Sequence, residues 1–191
     1  MKAVQVAAGL DEPGAGPSYS VTRLAQSLRT LGVEVDLHSV GGWRATAGER
    51  PIEGLHRHPQ DAAAVPGLGA LCLSNAMGRA LRRAAADADI LHAHGLWLMP
   101  DVYPAWAARA AGKPFMLSPR GMLGSAALRF SSLQKRLFWL ALQRDAARSA
   151  ACLHATSLAE HDEIRAAGLR NPVAIIPNGV DLPAIGPPES A

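Results

Sequence analysis

Two histidines two residues apart, His92 and His94, are the side chains best suited to chemistry in this sequence. They close a short apolar run, residues 89–94, which breaks at Gly95 and is typical of a β-strand. Side chains on one face of a strand repeat every two residues, so both imidazoles would share a face. Ligands of open parallel sheets gather at the carboxyl ends of the strands, where His94 would lie. An imidazole there can exchange hydrogen bonds with a sugar hydroxyl, which makes His94 the candidate catalytic residue and leaves His92 as a packed core histidine.

A loop with glycines at positions 14 and 16 follows the first apolar run of the chain. Glycines between a strand and a helix let backbone N–H groups approach a phosphate, and the helix N-terminus adds partial positive charge. Gly14, Gly16 and Ser18 are therefore candidate phosphate or sugar contacts; the alternative is a flexible connection whose glycines only make turns. The dinucleotide-binding fingerprint would require a third glycine where this chain has Tyr19, although Asp36 stands where a ribose-binding acid would.

Arg120 lies in a second loop, residues 119–125, which follows another strand-like segment and contains proline and glycine. A guanidinium group binds phosphate or hydroxyl oxygens with two parallel hydrogen bonds. We therefore treat Arg120 and the adjacent Gly121 as candidate substrate contacts, with a surface arginine as the alternative.

A basic helix is predicted next, over residues 126–149, and it contains Lys135. Its other basic residues are Arg129, Arg136, Arg144 and Arg148. Phe130, Leu133, Leu137 and Leu140 recur at helical spacing, and they predict the buried stripe of this helix. A solvated face is the usual explanation for such a set of charges, and contact with a phosphate or an anionic membrane is the alternative.

Strands and helices alternate along the chain in the pattern of an α/β, doubly wound, mostly parallel sheet of about six or seven strands. The predicted strands are residues 2–8, 33–38, 55–58, 89–94, 115–118, 151–155 and 173–176. The other predicted helices are a first one capped by Ser18 or Ser20 and ended by Gly32, then 68–86, 101–111 and 157–167. Ser157 and Glu160 have the spacing of a capping box. One domain over residues 1–182 is predicted, followed by a linker or tail at 183–191.

Composition excludes several classes of protein. The apolar fraction is 49%, the charged fraction is 18% and the formal net charge is +3, so a globular protein is expected and nucleic acid is not an expected partner. Cys72 and Cys152 show no metal or redox spacing, so we predict buried free thiols and no metal site. The N-terminus lacks the apolar run of a signal peptide, and no segment approaches the roughly 20 apolar residues of a membrane span. A cytoplasmic protein is therefore expected.

Taken in order, these stretches resemble the N-terminal half of family 4 glycosyltransferases of the GT-B fold. The matching stretches are residues 14–18, 89–97, 118–123, 155–157 with Glu160, and 177–181, together with Lys135. They cover nearly the whole chain, and as an ordered set they are specific.

The resemblance implies one Rossmann-like half of a two-domain enzyme, with the active site in the cleft between the halves. This half would mainly bind the acceptor, which is a glycan or a lipid-linked molecule, and its glycine loop would approach the donor phosphates. The family transfers a sugar from a nucleotide-sugar donor with retention at the anomeric carbon and requires no metal or other cofactor. Polysaccharide assembly is the family's usual pathway, and peripheral contact with a membrane is an accompanying expectation.

The resemblance also implies roles for individual residues. A histidine matching His94 contacts the transferred sugar, and many members carry a histidine where this chain has Arg120. Gly14 and Gly16 would shape the phosphate side, while Arg120 and Lys135 would help to place the acceptor or a phosphate. The family's nucleotide-sugar site lies mainly in a C-terminal donor domain that this chain lacks, so the chain alone is expected to be inactive.

Two other functions remain open on the sequence. A stand-alone sugar-binding module without catalysis would have the same fold. A nicotinamide-dependent oxidoreductase would need the third glycine and a catalytic Tyr/Lys or Ser set, neither of which is evident.

Overall fold

A single parallel sheet forms the centre of the molecule in the computed structural model, which describes residues 1–10, 16–41, 52–61, 71–124 and 132–180. Its strands are β1 (Lys2–Ala7), β2 (Glu34–Val40), β3 (Leu55–His58), β4 (Ile90–His94), β5 (Phe115–Ser118), β6 (Cys152–Ala155) and β7 (Val173–Ile175). Their order is β3-β2-β1-β4-β5-β6-β7, and every adjacent pair is parallel. The predicted doubly wound α/β sheet is confirmed.

Helices connect these strands. They are α1 (Gly16–Thr30), α2 (Asn75–Asp87), α3 (Tyr103–Ala111), α4 (Ser132–Phe138), α5 (Arg144–Arg148) and α6 (Leu158–Ala166). A 3₁₀ turn, Met99–Asp101, precedes α3, and a π-helical segment, Trp139–Gln143, joins α4 to α5. No helix among the described residues has the length and apolar character that crossing a bilayer requires.

Alternation along the strands divides the core between the two faces of the sheet. Val4 and Val6 of β1 belong to the larger core cluster, together with Leu91, Leu117 and Leu153. Ala3 and Ala7 point the other way and pack with Val21 and Ala25 of α1. Because neighbouring residues of a strand face opposite sides, the polar residues that alternate with the larger core lie on the α1 side of the sheet. These polar residues are His92, His94, Ser118 and His154.

Two predicted helix starts were wrong. The first helix begins at Gly16, so Ser18 and Ser20 lie inside it and do not cap it. It ends at Thr30, and Gly32 follows with φ +78° at the predicted stop. The second begins at Asn75 because the Ser74 hydroxyl accepts the Met77 N–H and so caps it there, and residues 71–74 precede the helix. The predicted linker or tail at 183–191 lies outside the described residues.

The predicted apolar stripe of the long helix was wrong. Leu133, Leu137 and Leu140 are 69%, 60% and 58% exposed, and Phe130 lies outside the described residues. The buried residues of this region are instead Phe138, Gln143, Ala146 and Ala147. Small alanines let the helix approach its neighbours closely, and the π-helical segment changes the angular spacing of side chains along the helix. The leucines therefore face outward. Cys72 and Cys152 are free, as predicted, but only partly buried.

Candidate functional site

The carboxyl ends of β4 and β5 bring the two leading candidate residues together. His94 is the last residue of β4 and pairs in register with Ser118, the last residue of β5. Arg120 follows two residues later, and its Nη2 lies 3.0 Å from His94 Nδ1. Both residues lie at the predicted edge of the sheet and are in direct contact.

The protonation pattern of His94 follows from this contact. A guanidinium group has donors and no acceptor, so Arg120 donates to His94 Nδ1 and the imidazole carries its proton on Nε2. Burial, with smaller contributions from the charges of His92, Arg120 and His154, holds the pKa of His94 well below its usual value. Nε2 has no hydrogen-bond partner among the described residues. His94 is therefore neutral near pH 7, and its N–H at Nε2 is a buried donor that solvent does not reach.

A buried chain of hydrogen bonds runs beside His94. Ile176 O can only accept, so His154 Nε2, 2.8 Å away, donates to it. The other nitrogen, Nδ1, lies 2.8 Å from the Ser118 hydroxyl. Ser118 Oγ in turn lies 2.7 Å from His92 Nε2. Burial, followed by the charges of His154 and Arg120, lowers the pKa of His92 to about 3. His92 is thus a structural, neutral histidine, and this chain of hydrogen bonds ties β4, β5 and β6 to the residue that follows β7.

Arg120 is held in an unusual backbone conformation. Its φ is +57°, in the left-handed region that side chains other than glycine rarely adopt. Its Nη1 donates to Asn178 Oδ1 at 2.6 Å, so the guanidinium bridges the end of β4 and the segment after β7. Burial lowers the pKa of Arg120, against the charge of Glu160. Strain of this kind gathers at functional sites, where the surroundings must maintain it.

Glu160, which is among the residues that carry the family resemblance, holds the site loop in a way that was not predicted. It is buried, and Oε1 accepts the Gly121 N–H at 2.8 Å, while Oε2 accepts the Thr156 N–H and hydroxyl at 2.7 and 2.8 Å. Only half of the predicted capping box is present, since the Glu160 N–H donates to Ser157 Oγ but the carboxylate bonds elsewhere. The sequence signal was read as a helix cap. Glu160 in fact fixes the loop that carries Arg120.

We expect Glu160→Gln to weaken this loop. The amide can accept through only one oxygen, so the N–H of either Gly121 or Thr156 loses its partner. The free energy of unfolding should fall by about 1–3 kcal/mol, and amide exchange at Gly121 should accelerate roughly tenfold. Urea unfolding and NMR-detected exchange measure these effects. Asp162→Asn, at an exposed position of the same helix, is the matched control; equal behaviour of the two variants would contradict the assignment.

A second loop follows β4 and is hydrogen-bonded to the long helix region. Trp97 also has positive φ, +78°; its N–H donates to the buried Gln143 Oε1 at 3.1 Å, and its indole N–H donates to Met122 O at 3.2 Å. Lys135 Nζ lies 5.6 Å from the centre of the Trp97 ring, within range of a cation–π interaction. Lys135 therefore contacts the Trp97 loop, and it lines neither cavity at Arg120.

Two cavities meet at Arg120 and Asn178. One has a volume of about 330 Å³ and is also lined by Leu24, His154 and Ile176. The other has a volume of about 360 Å³, and its lining includes Gly16, Gly121, Thr156 and Glu160.

Three of the predicted contact residues, Gly16, Arg120 and Gly121, therefore face one cavity beside the N-terminus of α1. Ser18 is buried within α1, and Gly14 lies outside the described residues. In the described ranges no group of three or more His, Cys, Asp or Glu residues could hold a metal ion. The cavity offers a helix N-terminus and a guanidinium, which suit an oxygen-rich anionic ligand. Glu160 and Glu163 also line it, and Glu160 already accepts the Gly121 and Thr156 N–H groups.

The chain matches the model of a known protein family. The model of the family described as glycosyl transferase 4-like domain matches residues 15–179. A search of curated proteins found no match.

Solved structures share the fold. Anabaena HepE in complex with UDP and glucose has a TM-score of 0.67 at 20% identity, covering 95% of this chain and 45% of HepE. HepE in complex with UDP gives a TM-score of 0.68 at the same identity. The UDP-GlcNAc 2-epimerase of Methanocaldococcus jannaschii gives 0.60 at 8% identity, covering 93% of this chain and 46% of the epimerase. The chain thus spans less than half the length of these proteins.

Proposed function

Because the chain belongs to the family of glycosyl transferase 4-like domains, we propose that it is the acceptor-binding half of a retaining glycosyltransferase. In this proposal a hexose passes from a nucleotide-sugar donor to a glycan or lipid-linked acceptor during polysaccharide assembly. Residues 1–182 are the N-terminal domain, residues 183–191 are a linker or tail, and a C-terminal donor domain completes the site. Alone, this half is inactive. The proposed enzyme is cytoplasmic and contacts a membrane peripherally.

The observation that carries the proposal is Arg120, which lines the cavity at the start of α1 and contacts the buried His94 through Nη2 at 3.0 Å from His94 Nδ1. The neutral His94 donates its Nε2 proton to a hydroxyl oxygen of the transferred sugar. Gly16, with Gly14, shapes the phosphate side, where the α1 N-terminus favours negative charge. Arg120, together with Lys135, places the acceptor or a phosphate. Preorganised donors of this kind stabilise charge that develops as a leaving group departs.

The proposed reaction breaks one bond at the anomeric carbon of the donor sugar and forms another. The bond between the anomeric carbon and the donor phosphate oxygen breaks, and the nucleoside diphosphate leaves with the electron pair. An acceptor hydroxyl oxygen forms the new bond to the anomeric carbon on the same face, and its proton passes to the departing phosphate oxygen. The side chains described at this site stabilise charge and orient groups, and the proposed mechanism requires no metal ion from the chain.

Calorimetry tests the proposal on two proteins. HepE was crystallised with UDP and UDP-glucose, so UDP-glucose is the first donor to titrate. The chain alone should bind oligosaccharide acceptors and bind the donor weakly, and the protein completed by a donor domain should bind the donor and release UDP. A completed protein that binds sugars without turnover would instead support the stand-alone sugar-binding module. Family membership favours a transferase over a nicotinamide-dependent oxidoreductase, and a cofactor fluorescence titration should show no binding.

A further inference from the structure

The two cavities that meet at Arg120 and Asn178 differ in charge. Arg23 and Arg120 line the cavity of about 330 Å³, and no acidic residue is among its described lining residues. Glu160 and Glu163 line the cavity of about 360 Å³, where Arg120 is the only described cationic side chain. We name the first the arginine cavity and the second the glutamate cavity. An anion is therefore attracted more strongly to the arginine cavity.

The arginine cavity lies between one face of α1 and the segment that follows β7. Tyr19, Arg23 and Ser27 recur every four residues, so they line the cavity from a single face of the helix. Residues 176–180 line the other side, and Arg120 reaches the cavity from the loop after β5. The two guanidinium groups thus approach the cavity from different elements, as the binding of one ion between them requires.

A side-chain amide contacts each of the two arginines. Gln26 Oε1 accepts from Arg23 Nη1 at 2.8 Å, and Asn178 Oδ1 accepts from Arg120 Nη1 at 2.6 Å. A guanidinium group has five N–H donors and keeps its positive charge in such a bond. Because a guanidinium group only donates, the amide oxygen of Asn178 faces Arg120, and its Nδ2 faces away from it. Asn178 lines the arginine cavity, so this nitrogen brings two further N–H donors to its edge.

Charge and volume together favour a phosphorylated organic molecule as the ligand. A phosphate monoester carries about −1.5 to −2 charges near pH 7, whereas a carboxylate carries one, so two arginines match a phosphate better. Cavities of roughly 300–1,000 Å³ hold whole small molecules, and apolar side chains form most of their lining. Leu24, Ile176 and Val180 supply apolar surface here. Ile176 and Val180 are more than half exposed, so this surface is open to the organic part of a ligand.

We propose that the arginine cavity binds the phosphate group of a small phosphorylated molecule. Arg23 and Arg120 donate to the phosphate oxygens with the forked geometry of guanidinium groups, and Asn178 adds an amide N–H. The apolar side chains contact the organic part. Gly16, at the start of α1, lines the glutamate cavity instead. The site is therefore separate from the phosphate side of the proposed function, and it does not depend on that function.

A titration of the 191-residue chain with inorganic phosphate near neutral pH, followed by NMR, tests this site. Of the two cavities, Ser27 and Gly179 line only the arginine cavity, and Gly16 and Glu163 line only the glutamate cavity. The backbone amide signals of the first pair should shift more than those of the second. Phenyl phosphate should bind more tightly than inorganic phosphate, because its ring adds apolar contact. Acetate at equal ionic strength should bind more weakly.

Substitutions identify the groups that hold the phosphate. Arg23→Gln should weaken phosphate binding at least about tenfold, because it removes one of the two charge-assisted contacts. Arg82→Gln is the matched control, since it removes the same charge from an exposed position of α2, on the opposite face of the sheet, and it should bind like wild type. Asn178→Asp should weaken binding at least as strongly as Arg23→Gln, because the carboxylate still accepts from Arg120 but repels the anion. Circular dichroism confirms that each variant is folded.

Several results would overturn the phosphate site. Equal binding by Arg23→Gln and Arg82→Gln would do so, as would a wild-type chain that binds no phosphate or an Asn178→Asp variant that binds it unchanged. Larger shifts in the glutamate cavity than in the arginine cavity would place the anion there instead. Phenyl phosphate that binds no more tightly than inorganic phosphate would contradict the organic ligand. No donor, acceptor or turnover enters these measurements, so the proposed function can fail while the phosphate site stands.

Discussion

Replacing His94 with alanine in the protein completed by a donor domain is expected to lower kcat at least about tenfold. The neutral imidazole offers one buried N–H, and loss of a hydrogen bond made in the transition state costs at least about 1.4 kcal/mol of activation free energy. KM for the donor should change less than kcat, because losing a contact to the sugar that is stronger in the transition state than in the ground state lowers kcat. Steady-state kinetics with UDP-glucose measure both constants.

His161→Ala is the matched control for this variant. His161 lies on α6, partly exposed, and pairs with the neighbouring Asp162, so its removal should leave kcat unchanged. A His94→Ala enzyme within about twofold of wild type would remove His94 from the catalytic assignment.

A double-mutant cycle tests whether His94 and Arg120 act as one unit. Arg120 fixes the proton of His94 on Nε2 by donating to Nδ1. Arg120→Ala should therefore lower kcat and also free His94 to adopt the other tautomer. The double variant should lose less activity than the product of the two single losses, since residues in contact are not additive. Strict additivity would mean that the 3.0 Å contact has no part in catalysis.

The sequence predicted the framework of the site because its rules are local. Alternating apolar residues defined the strands, and the bounds of β3 and β5 were predicted to the residue. Ligands gather at the carboxyl ends of parallel strands, and the sequence predicts both His94 and Arg120 at such ends. Ordinary packing of a parallel sheet then made the contact between them.

Long-range contacts explain what the sequence did not predict. Helical spacing identified Leu133, Leu137 and Leu140 as one stripe, but periodicity does not say which face of a helix is buried. The buried face contains Ala146 and Ala147 instead. The role of Glu160 depends on Gly121, 39 residues away, and a local capping pattern already accounted for its position. The hydrogen bond between Ser118 and His154 spans 36 residues. No local rule pairs such positions.

Buried histidines and one buried aspartate should give the 191-residue chain a stability maximum near pH 6.5. Burial, followed by the charges of His56 and His58, lowers the pKa of His38 to about 3, although the charge of Asp36 acts to raise it. The pKa of His92 is also about 3, and that of His94 is well below 6.5. The pKa of Asp101 shifts in the opposite direction. Burial raises it to about 8, although the hydrogen bond from the Leu98 N–H acts to lower it.

The sign of each effect follows from which state binds the proton. Between about pH 3 and 6.5 the unfolded histidines bind protons that the folded ones exclude, so stability is lost as pH falls through this window. Between about pH 4 and 8 folded Asp101 holds a proton that the unfolded carboxyl releases, so its contribution is lost as pH rises. Each uncompensated proton changes the free energy of unfolding by about 1.4 kcal/mol per pH unit. Three histidines outweigh one aspartate below pH 6.5, and Asp101 alone acts above it.

Urea unfolding from pH 4.5 to 8.5 measures the two limbs separately. The acid limb should fall by several kcal/mol, and Asp101→Asn should abolish the alkaline limb while leaving the acid limb in place. Asparagine keeps the shape of the side chain and the acceptor for the Leu98 N–H. The variant therefore removes only the ionisable carboxyl group. Asp87→Asn, at the end of α2, removes a carboxylate from another helix and should leave both limbs unchanged. An alkaline limb that persists in Asp101→Asn would show that Asp101 is ionised in the folded protein, despite an Oδ1 that is buried without a partner among the described residues.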